Sequence, residues 1–403
     1  MLQKVIYAGV QEPSFRLASA ALLKLAELAV SAKQVERLTQ QIGHERCGER
    51  DAAAQAYQEQ PLTQRKAAPA GVPAPPLAVV QMDGGRLQIL DRCATAVPKA
   101  SGETHWREDK VGLLATMSSE VSLTDPCPTI PDVFVDPTRM QKLTQEIKGA
   151  VGVTAEEAAT QAAAAAAATA ETPVTPVVYE APELEQRSVV ATKQDAYAFD
   201  DLLAEAAWAR GFYAADRRAF VGDGSSTNWG IWERKFSNFE PITDFIHAVT
   251  YVFAGAMAGR SFADGWPEYQ AWIGAVWAGR IEPVLTGLAA RQAELGAAGP
   301  EDAATSPRSQ VARALEYLGH QQGRMQYAKY RQQGLPITSS HIESTIKQIN
   351  QRVKGSEKFW SETGAEAILQ LRADYLSETA PLEAFWERRQ ATATGERRYS
   401  NTL

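Results

Sequence analysis

The spacing of hydrophobic and polar positions predicts a chain that mixes short strands with helices. From residue 77, LAVVQMDGGRLQIL predicts two strands around a Gly-Gly turn, and KVGLLATMS at 110–118 predicts a third, giving a three-stranded meander. SVVAT, RRAFVG and PITDFIH are typical of further short strands. Helical spacing follows in DDLLAEAAWARGF, NWGIWERKFS and much of 248–335. This order of elements predicts an α/β fold with a helical insertion.

The first sixty residues predict a small helical region. Helical apolar spacing covers 14–42 with one break, Ser31 has the character of an N-cap, and Gly43 that of a helix end. A helix-turn-helix unit of this kind would place its second helix, with Lys33 and Arg37, in a DNA groove. Two ordinary packed helices fit the same pattern.

Changes in composition suggest the domain boundaries. We expect an N-terminal region over 1–60, a Pro/Ala linker over 61–76, and the first part of the core over 77–118 and 187–247. Seven consecutive alanines within 119–186 favour helix but offer no apolar face, so this segment is predicted to be a low-complexity, partly disordered insertion. A helical insertion over 248–335 and a C-terminal helix with a polar tail over 336–403 complete the chain.

The charge of the chain is unevenly distributed. The 403 residues carry a net charge of −7, which does not by itself indicate nucleic-acid binding. Between positions 308 and 354, however, eight lysines and arginines face only two glutamates, a local net charge of +6. An acidic chain thus contains one basic segment suited to a polyanion.

Cysteine usage and hydropathy favour a cytoplasmic protein. Cys47, Cys93 and Cys127 are widely separated, which is typical of free thiols in a reducing compartment and argues against a zinc site. The stretch LASAALLKLAELAVSA is short and is interrupted by Lys24 and Glu27, so we expect neither a membrane span nor a signal peptide.

Two aspartates follow hydrophobic runs at the ends of predicted strands. Asp83 stands in VVQMDGG and Asp223 in FVGDGSS. Functional groups of open α/β folds gather at the carboxyl ends of strands, and carboxylates there are suited to Mg²⁺ or Mn²⁺. Either aspartate is equally compatible with an ordinary Asp-Gly turn.

A third acid, Glu343, lies near the start of a predicted helix that has a hydrophobic face and an adjacent polar face. Ser340 and Glu343 have the spacing of a capping box, and Lys347 is placed for an ion pair with Glu343. The same helix nevertheless aligns Glu343 with Lys347, Asn350 and Lys354, a carboxylate followed by groups that suit phosphate. Capping and metal binding therefore remain alternatives for Glu343.

A D-x-x-H pair, Asp244 and His247, lies where a predicted strand passes into a helix. The pair is compatible with a site-supporting role. Helix capping by Asp244 with a core histidine is the simpler interpretation.

These segments together resemble one family. VVQMDGGR, HWREDKVG, FVGDGSSTNW, DFIHAVTYVFAGAMAG and the long LPITSSHIESTIKQINQRVKGSEKFWSETGAEAILQLRADYL resemble the ISKra-type bacterial insertion-sequence transposases, in the Mutator-like group of DDE transposases. The resemblance covers about 77–118 and 187–400, with the helical pair at 14–43. The segment 119–186 does not contribute.

The resemblance implies a ribonuclease H-like mixed-sheet core and a DDE triad of Asp83, Asp223 and Glu343 that holds two Mg²⁺ (or Mn²⁺) ions for DNA phosphoryl transfer. Asp244 and His247 would support the site. The implied partners are double-stranded DNA, at terminal inverted repeats and target, and a second copy of the chain, associated with the nucleoid. Phosphate contacts are expected from Lys347, Asn350, Arg352 and Lys354. Base stacking and core packing are both open for Trp229, Trp232, Trp266, Trp272, Trp277 and Trp360.

Two other functions remain compatible with the residues. One is a catalytically degenerate protein that still binds transposon ends through residues 14–43. The other is a metal-dependent nuclease on the same fold, which would keep the three carboxylates but lack strand joining.

Overall fold

A mixed β-sheet forms the centre of the computed structural model, which describes residues 1–90, 105–149, 152–169 and 177–392. The fold is therefore α/β, as the sequence predicts. The strands are β1 (Leu77–Ile89), β2 (Trp106–Ser118), β3 (Glu183–Thr192), β4 (Arg217–Gly222), β5 (Glu240–Thr243) and β6 (Phe359–Trp360). Their order across the sheet is β3-β2-β1-β4-β5, and β6 pairs with β1. The first three strands are antiparallel, whereas β4 runs parallel to β1 and β5 parallel to β4.

The predicted Gly-Gly turn is wrong, because β1 continues through it as one strand of 13 residues. Gly84 pairs with Lys110 and Gly85 with Asp109, so both glycines lie inside the ladder. A Cβ on Gly85 would lie 2.6 Å from Oδ2 of Asp109, so this position has no room for a side chain. The meander consists instead of β1, β2 and β3.

Helices cover both faces of the sheet. In chain order they are α1 (Leu2–Gln11), α2 (Phe15–Ala26), α3 (Ala32–Glu59), α4 (Leu62–Arg65), α5 (Pro137–Lys148), α6 (Ala155–Thr169), α7 (Ala196–Ala209), α8 (Ser226–Lys235), α9 (Phe245–Met257), α10 (Phe262–Trp277), α11 (Glu282–Leu295), α12 (Pro307–Gln321), α13 (Tyr327–Gln332), α14 (Ser340–Val353), α15 (Glu362–Leu376) and α16 (Pro381–Ala391).

Alternate residues of the strands pack on opposite layers. Leu77 and Val79 join the core formed with α9 and α10, while Ala78 and Val80 join the core formed with α7 and α8. The far half of β1 packs against α14 and α15 through Leu87. This alternation is the period-two pattern of a strand buried on both faces.

The N-terminal helices match the prediction in part. Ser31 caps α3, since its side chain accepts a hydrogen bond from the Gln34 amide. Gly43 does not end the helix, which continues to Glu59. A Cβ at Gly43 would lie 2.5 Å from the Ala367 carbonyl oxygen, so this glycine permits a close crossing of α3 and α15.

The segment 119–186 contains packed structure that its composition did not predict. Helix α5 begins at the cap Asp136, whose side chain accepts from the Arg139 amide, and α6 contains most of the alanine run. Met140 and Ala158 are fully buried and belong to the core around α9 and α10. The prediction of a low-complexity, partly disordered insertion did not include this packing of α5 and the start of α6.

Two of the three cysteines, and the helices that could be tested as membrane spans, lie in the described residues. Cys47 and Cys127 are buried free thiols, and Cys93 lies outside the described residues. Across the described ranges, no helix is both long enough and apolar enough to span a lipid bilayer.

Candidate active site

Asp83 lies near the middle of β1, opposite Val111 of β2. Its Oδ1 accepts a hydrogen bond of 2.7 Å from the Gly84 amide. Burial raises the pKa of Asp83, and the charges of Asp223 and Asp244 raise it further. The side chain is thus a partly buried acid beside other acids, an arrangement in which a bound cation would favour the ionised form.

Asp223 follows the last residue of β4 and lies beside Asp83. Because Gln81 is in register with Val221 on the parallel pair β1 and β4, the two aspartates reach the same level of the sheet. Oδ1 of Asp223 accepts from the Ser225 amide at 2.9 Å and from Nδ2 of Asn228 at 2.8 Å. Both aspartates line one cleft of about 610 Å³. The structure thus brings these two predicted residues together.

The same cleft carries basic and aromatic groups. Arg86, Trp106, Arg107 and Lys110 lie along it with the two aspartates. These side chains come from β1 and β2 at the positions around the Gly-Gly step. Glu108 lies among these cations and pairs with Lys110 at 3.4 Å. A cleft lined by both acids and cations can hold a phosphate backbone beside a metal-binding group.

Glu343 lies in the first turn of α14 and is half-buried. Burial raises its pKa, with further increases from Asp244 and Asp83, whereas His247 and Lys347 lower it. Glu343 therefore shares an electrostatic environment with Asp244 and Asp83. It forms no ion pair within the described part of the chain, so the predicted contact with Lys347 is a longer-range interaction only.

The predicted capping box is absent from α14. The N-cap is Ser339 rather than Ser340, and its side chain makes no capping hydrogen bond. The amides of Ile342 and Glu343 instead bond to the Ser339 carbonyl. Capping therefore makes no demand on the Glu343 carboxylate.

Asp244 holds the centre of the site together. It is fully buried, caps α9 through the Ile246 amide, and accepts from the Ser339 amide at 3.1 Å. Its other oxygen contacts Nδ1 of His247 at 2.6 Å. One carboxylate therefore joins the end of β5, the start of α9 and the start of α14.

His247 is held as a cation by its neighbours. Burial lowers its pKa, but the hydrogen bond and charge of Asp244, with the charges of Asp223 and Asp83, raise it to about 9. The imidazolium offsets part of the negative charge of the site. The predicted capping by Asp244 is confirmed, whereas the histidine is half-buried rather than part of the core.

Sequence reasoning missed Gln81, which connects two catalytic candidates. This fully buried residue lies two positions before Asp83 on β1. Its Nε2 donates to the Thr338 carbonyl at 3.2 Å, and its Oε1 accepts from the Ile342 amide at 3.2 Å. The amide thereby fixes the start of α14 against β1. A glutamine within a hydrophobic run was the only available signal.

The predicted DNA-contacting residues of α14 divide into two groups. Lys347 and Lys354 are exposed and Asn350 is half-buried. Arg352 is only 2% exposed, and its Nε donates to the Gly9 carbonyl at 3.0 Å. Position 352 lies three residues after the buried Ile349 and shares its face. The prediction that Arg352 contacts phosphate is therefore wrong.

The residues predicted to enter a DNA groove are exposed on α3. Lys33 pairs with Glu36 at 3.0 Å, and the Arg37 guanidinium donates to Gln34 at 3.0 Å. The opposite face of α3 is buried, including Val35. The groove-binding role stays a prediction.

Most of the candidate stacking tryptophans belong to the core. Five are at most 7% exposed: Trp229, Trp266, Trp272, Trp277 and Trp360. Trp232 is half-buried, and its Nε1 donates to the Phe239 carbonyl. The packing alternative is therefore confirmed for the five buried rings.

The donors present suit a hard divalent cation. Asp83 and Asp223 offer carboxylate oxygens to one cleft, and Glu343 adds a third carboxylate nearby, which is the chemistry that Mg²⁺ and Mn²⁺ prefer. In the side-chain positions of the described ranges, no three acids, histidines or cysteines are already gathered as a metal-binding group.

Comparison with known proteins adds no further assignment. No protein-family model matches the chain, and no curated protein is similar to it.

Proposed function

We propose that this protein is a DNA transposase of the DDE type, which cleaves insertion-sequence ends and joins them to target DNA. The observation that carries the proposal is the convergence of Asp83 and Asp223 from adjacent parallel strands on one cleft. Glu343 on α14 is electrostatically coupled to Asp244 and to Asp83. Three acids with no arginine or lysine paired to them in the described residues suit bound cations better than a structural role.

The order and direction of the strands support the proposal of a ribonuclease H-like core. Its first three strands are antiparallel, and the fourth and fifth run parallel to the first. In chain order the helices α10 to α13 come after Asp83 and Asp223 and before α14, as a helical insertion before the last catalytic helix would require.

Each residue then has a defined task. Asp83, Asp223 and Glu343 would hold Mg²⁺ or Mn²⁺, and these ions when bound would activate the attacking oxygen and stabilise the leaving 3′-oxygen. Asp244 orients His247 and the start of α14 through its hydrogen bonds. Arg86 and Lys110 line the cleft as candidate contacts to the DNA backbone. Double-stranded DNA is the proposed partner, with two copies of the chain bridging two ends in the cytoplasm.

The test uses duplex DNA carrying the terminal repeat that flanks the coding sequence. Asp223→Asn should abolish Mg²⁺-dependent cleavage and leave DNA binding unchanged. Glu233→Gln, an exposed acid on the neighbouring helix α8, is the matched control and should cleave normally. Cleavage retained by Asp223→Asn would refute the mechanism. Strand-transfer products distinguish a transposase from a nuclease.

A further inference from the structure

A second cavity, of about 370 Å³, lies beside His247 and is lined by cations. Its walls come from α5, α9 and α12, with Lys148, His247, Tyr251, Gln310 and Arg313 among the lining residues. No carboxylate is among the described residues that line it. Lys148 belongs to the segment 119–186, which does not contribute to the family resemblance.

Two cations of this cavity, Lys148 and Arg313, form no ion pair among the described residues. Burial and the nearby Arg313 charge lower the pKa of Lys148 to about 7. The Lys148 ammonium lies over the ring of Tyr251 and has no hydrogen-bond acceptor in the described part of the chain. Arg313 is exposed, and its one described contact is a long hydrogen bond of 3.5 Å to the Ala304 carbonyl. Like charges brought together without an anion are a cost that a bound anion would remove.

A tyrosine stack connects the cavity to the candidate active site. Tyr251 stacks on Tyr317, with ring centroids 3.7 Å apart and planes inclined by 9°. The Tyr317 hydroxyl donates to the Asp223 carbonyl at 2.7 Å. His247 lines the cavity while its Nδ1 contacts Asp244. An anion in the cavity would therefore lie close to Asp223 and Asp244.

We propose that this cavity binds a backbone phosphate of the DNA strand whose neighbouring phosphate is placed at the acids, an inference that rests on the proposed function. Lys148 and Arg313 supply charged donors, and the buried Gln310 lines the cavity with an amide. The cavity is larger than a phosphate group requires, which leaves room for the adjoining sugars. The site would set the position of the strand relative to Asp223.

The first measurement is DNA binding by the full chain in EDTA, so that no cleavage occurs. Lys148→Met and Arg313→Met should each weaken binding to a terminal-repeat duplex by about tenfold and reduce the salt dependence by about one phosphate contact. Lys142→Met, an exposed lysine on the same helix α5, is the matched control and should bind like the unmodified chain.

The second measurement locates the phosphate. A neutral methylphosphonate replaces one backbone phosphate of the DNA at a time. At one position this replacement should weaken DNA binding by the unmodified chain about tenfold but should not change DNA binding by the double variant Lys148→Met/Arg313→Met. The proposal is overturned if every position has the same effect on both proteins. It is also overturned if the chain binds inorganic phosphate in this cavity, followed by phosphorus NMR, but does not bind DNA.

These outcomes are independent of catalysis. If Asp223→Asn still cleaves DNA, the proposed mechanism fails while the methylphosphonate cycle gives its own answer. If cleavage depends on Asp223 but binding ignores Lys148 and Arg313, only the phosphate site fails.

Discussion

Buried and half-buried carboxylates are grouped in two regions of this protein, and the two groups differ in the cations that face them. Between α3 and α15, Asp374 pairs with Arg46 at 2.9 Å, and Glu366 pairs with Arg50 at 2.8 Å. Each of these two acids is paired with a guanidinium. Such a network fixes the packing of two helices.

At the candidate active site the acids have no such arginine partners. Asp83, Asp223 and Glu343 form no ion pair with an arginine or lysine in the described ranges, and His247 is the one cation hydrogen-bonded within the group, through Asp244. Burial raises the pKa of Asp83 and that of Glu343, and neighbouring acids raise both further. The contrast indicates that the chain pairs acids where they hold helices together and leaves them unpaired where we propose that they bind metal.

The largest effect is expected at the unbalanced site. Asp83→Asn should lower Mg²⁺-dependent DNA cleavage by at least about a thousandfold, because a metal ligand of the reaction is removed. Its free energy of unfolding without metal should be unchanged or higher, since repulsion among the acids decreases. Cleavage assays and urea denaturation of the same sample measure both. A loss of stability with cleavage intact would contradict the assignment of Asp83 as a metal ligand.

The paired region should give the opposite result. Arg46→Met leaves Asp374 buried without its partner, so the free energy of unfolding should fall by about 3–5 kcal/mol. Cleavage per folded molecule should persist. Arg388→Met is the control, because this exposed arginine pairs with Glu49 and should cost less than about 1 kcal/mol. Equal losses in both variants would contradict the account of the network.

Substitution of Gln81 tests whether a single buried residue contributes both to stability and to the candidate active site. Gln81→Met removes both hydrogen bonds to the start of α14 and should cost about 1–3 kcal/mol of unfolding free energy. Cleavage should fall as well, since Glu343 loses its fixed position. Gln88→Met removes bonds to Gly355 and Ser356 near the other end of α14 and should affect stability alone. If both variants cleave equally well, Gln81 does not position Glu343.

The smallest expected effect is a change in the pKa of His247. In metal-free protein the His247 imidazole should titrate near pH 9, compared with its ordinary 6.5, and Asp244→Asn should move the pKa back toward the ordinary value. Because the folded-state pKa is raised, the pair contributes stability fully below pH 6.5, and this contribution is lost as the pH rises through about 9. NMR of the histidine ring measures the pKa. A His247 pKa near 6.5 in the unmodified chain would contradict the coupling.

Local patterns predicted much of this molecule. The α/β class, the Ser31 cap, the helices α7, α8 and α14, and the position of Asp223 after a strand all depend on short-range spacing. The expectation that Asp83 ends a strand is wrong, because β1 continues to Ile89. The junction of strand and helix at Asp244 was likewise visible in four residues.

The features that sequence did not predict depend on distant partners. Gly84 and Gly85 look like a turn until β2 pairs with them and Asp109 fills the space above Gly85. Gly43 looks like a helix end until α15 crosses it. Lys148 gains a role only because α5 packs near α9 and α12, which an alanine-rich neighbourhood gives no reason to expect.

The most direct test of the central claim is the location of bound Mn²⁺ by anomalous diffraction from crystals of the full chain. The account predicts two Mn²⁺ ions held by Asp83, Asp223 and Glu343, and a weaker anomalous signal beside position 223 in Asp223→Asn. No bound Mn²⁺ at saturating concentration, or ions held by other residues while Glu343 stays apart from both aspartates, would contradict it.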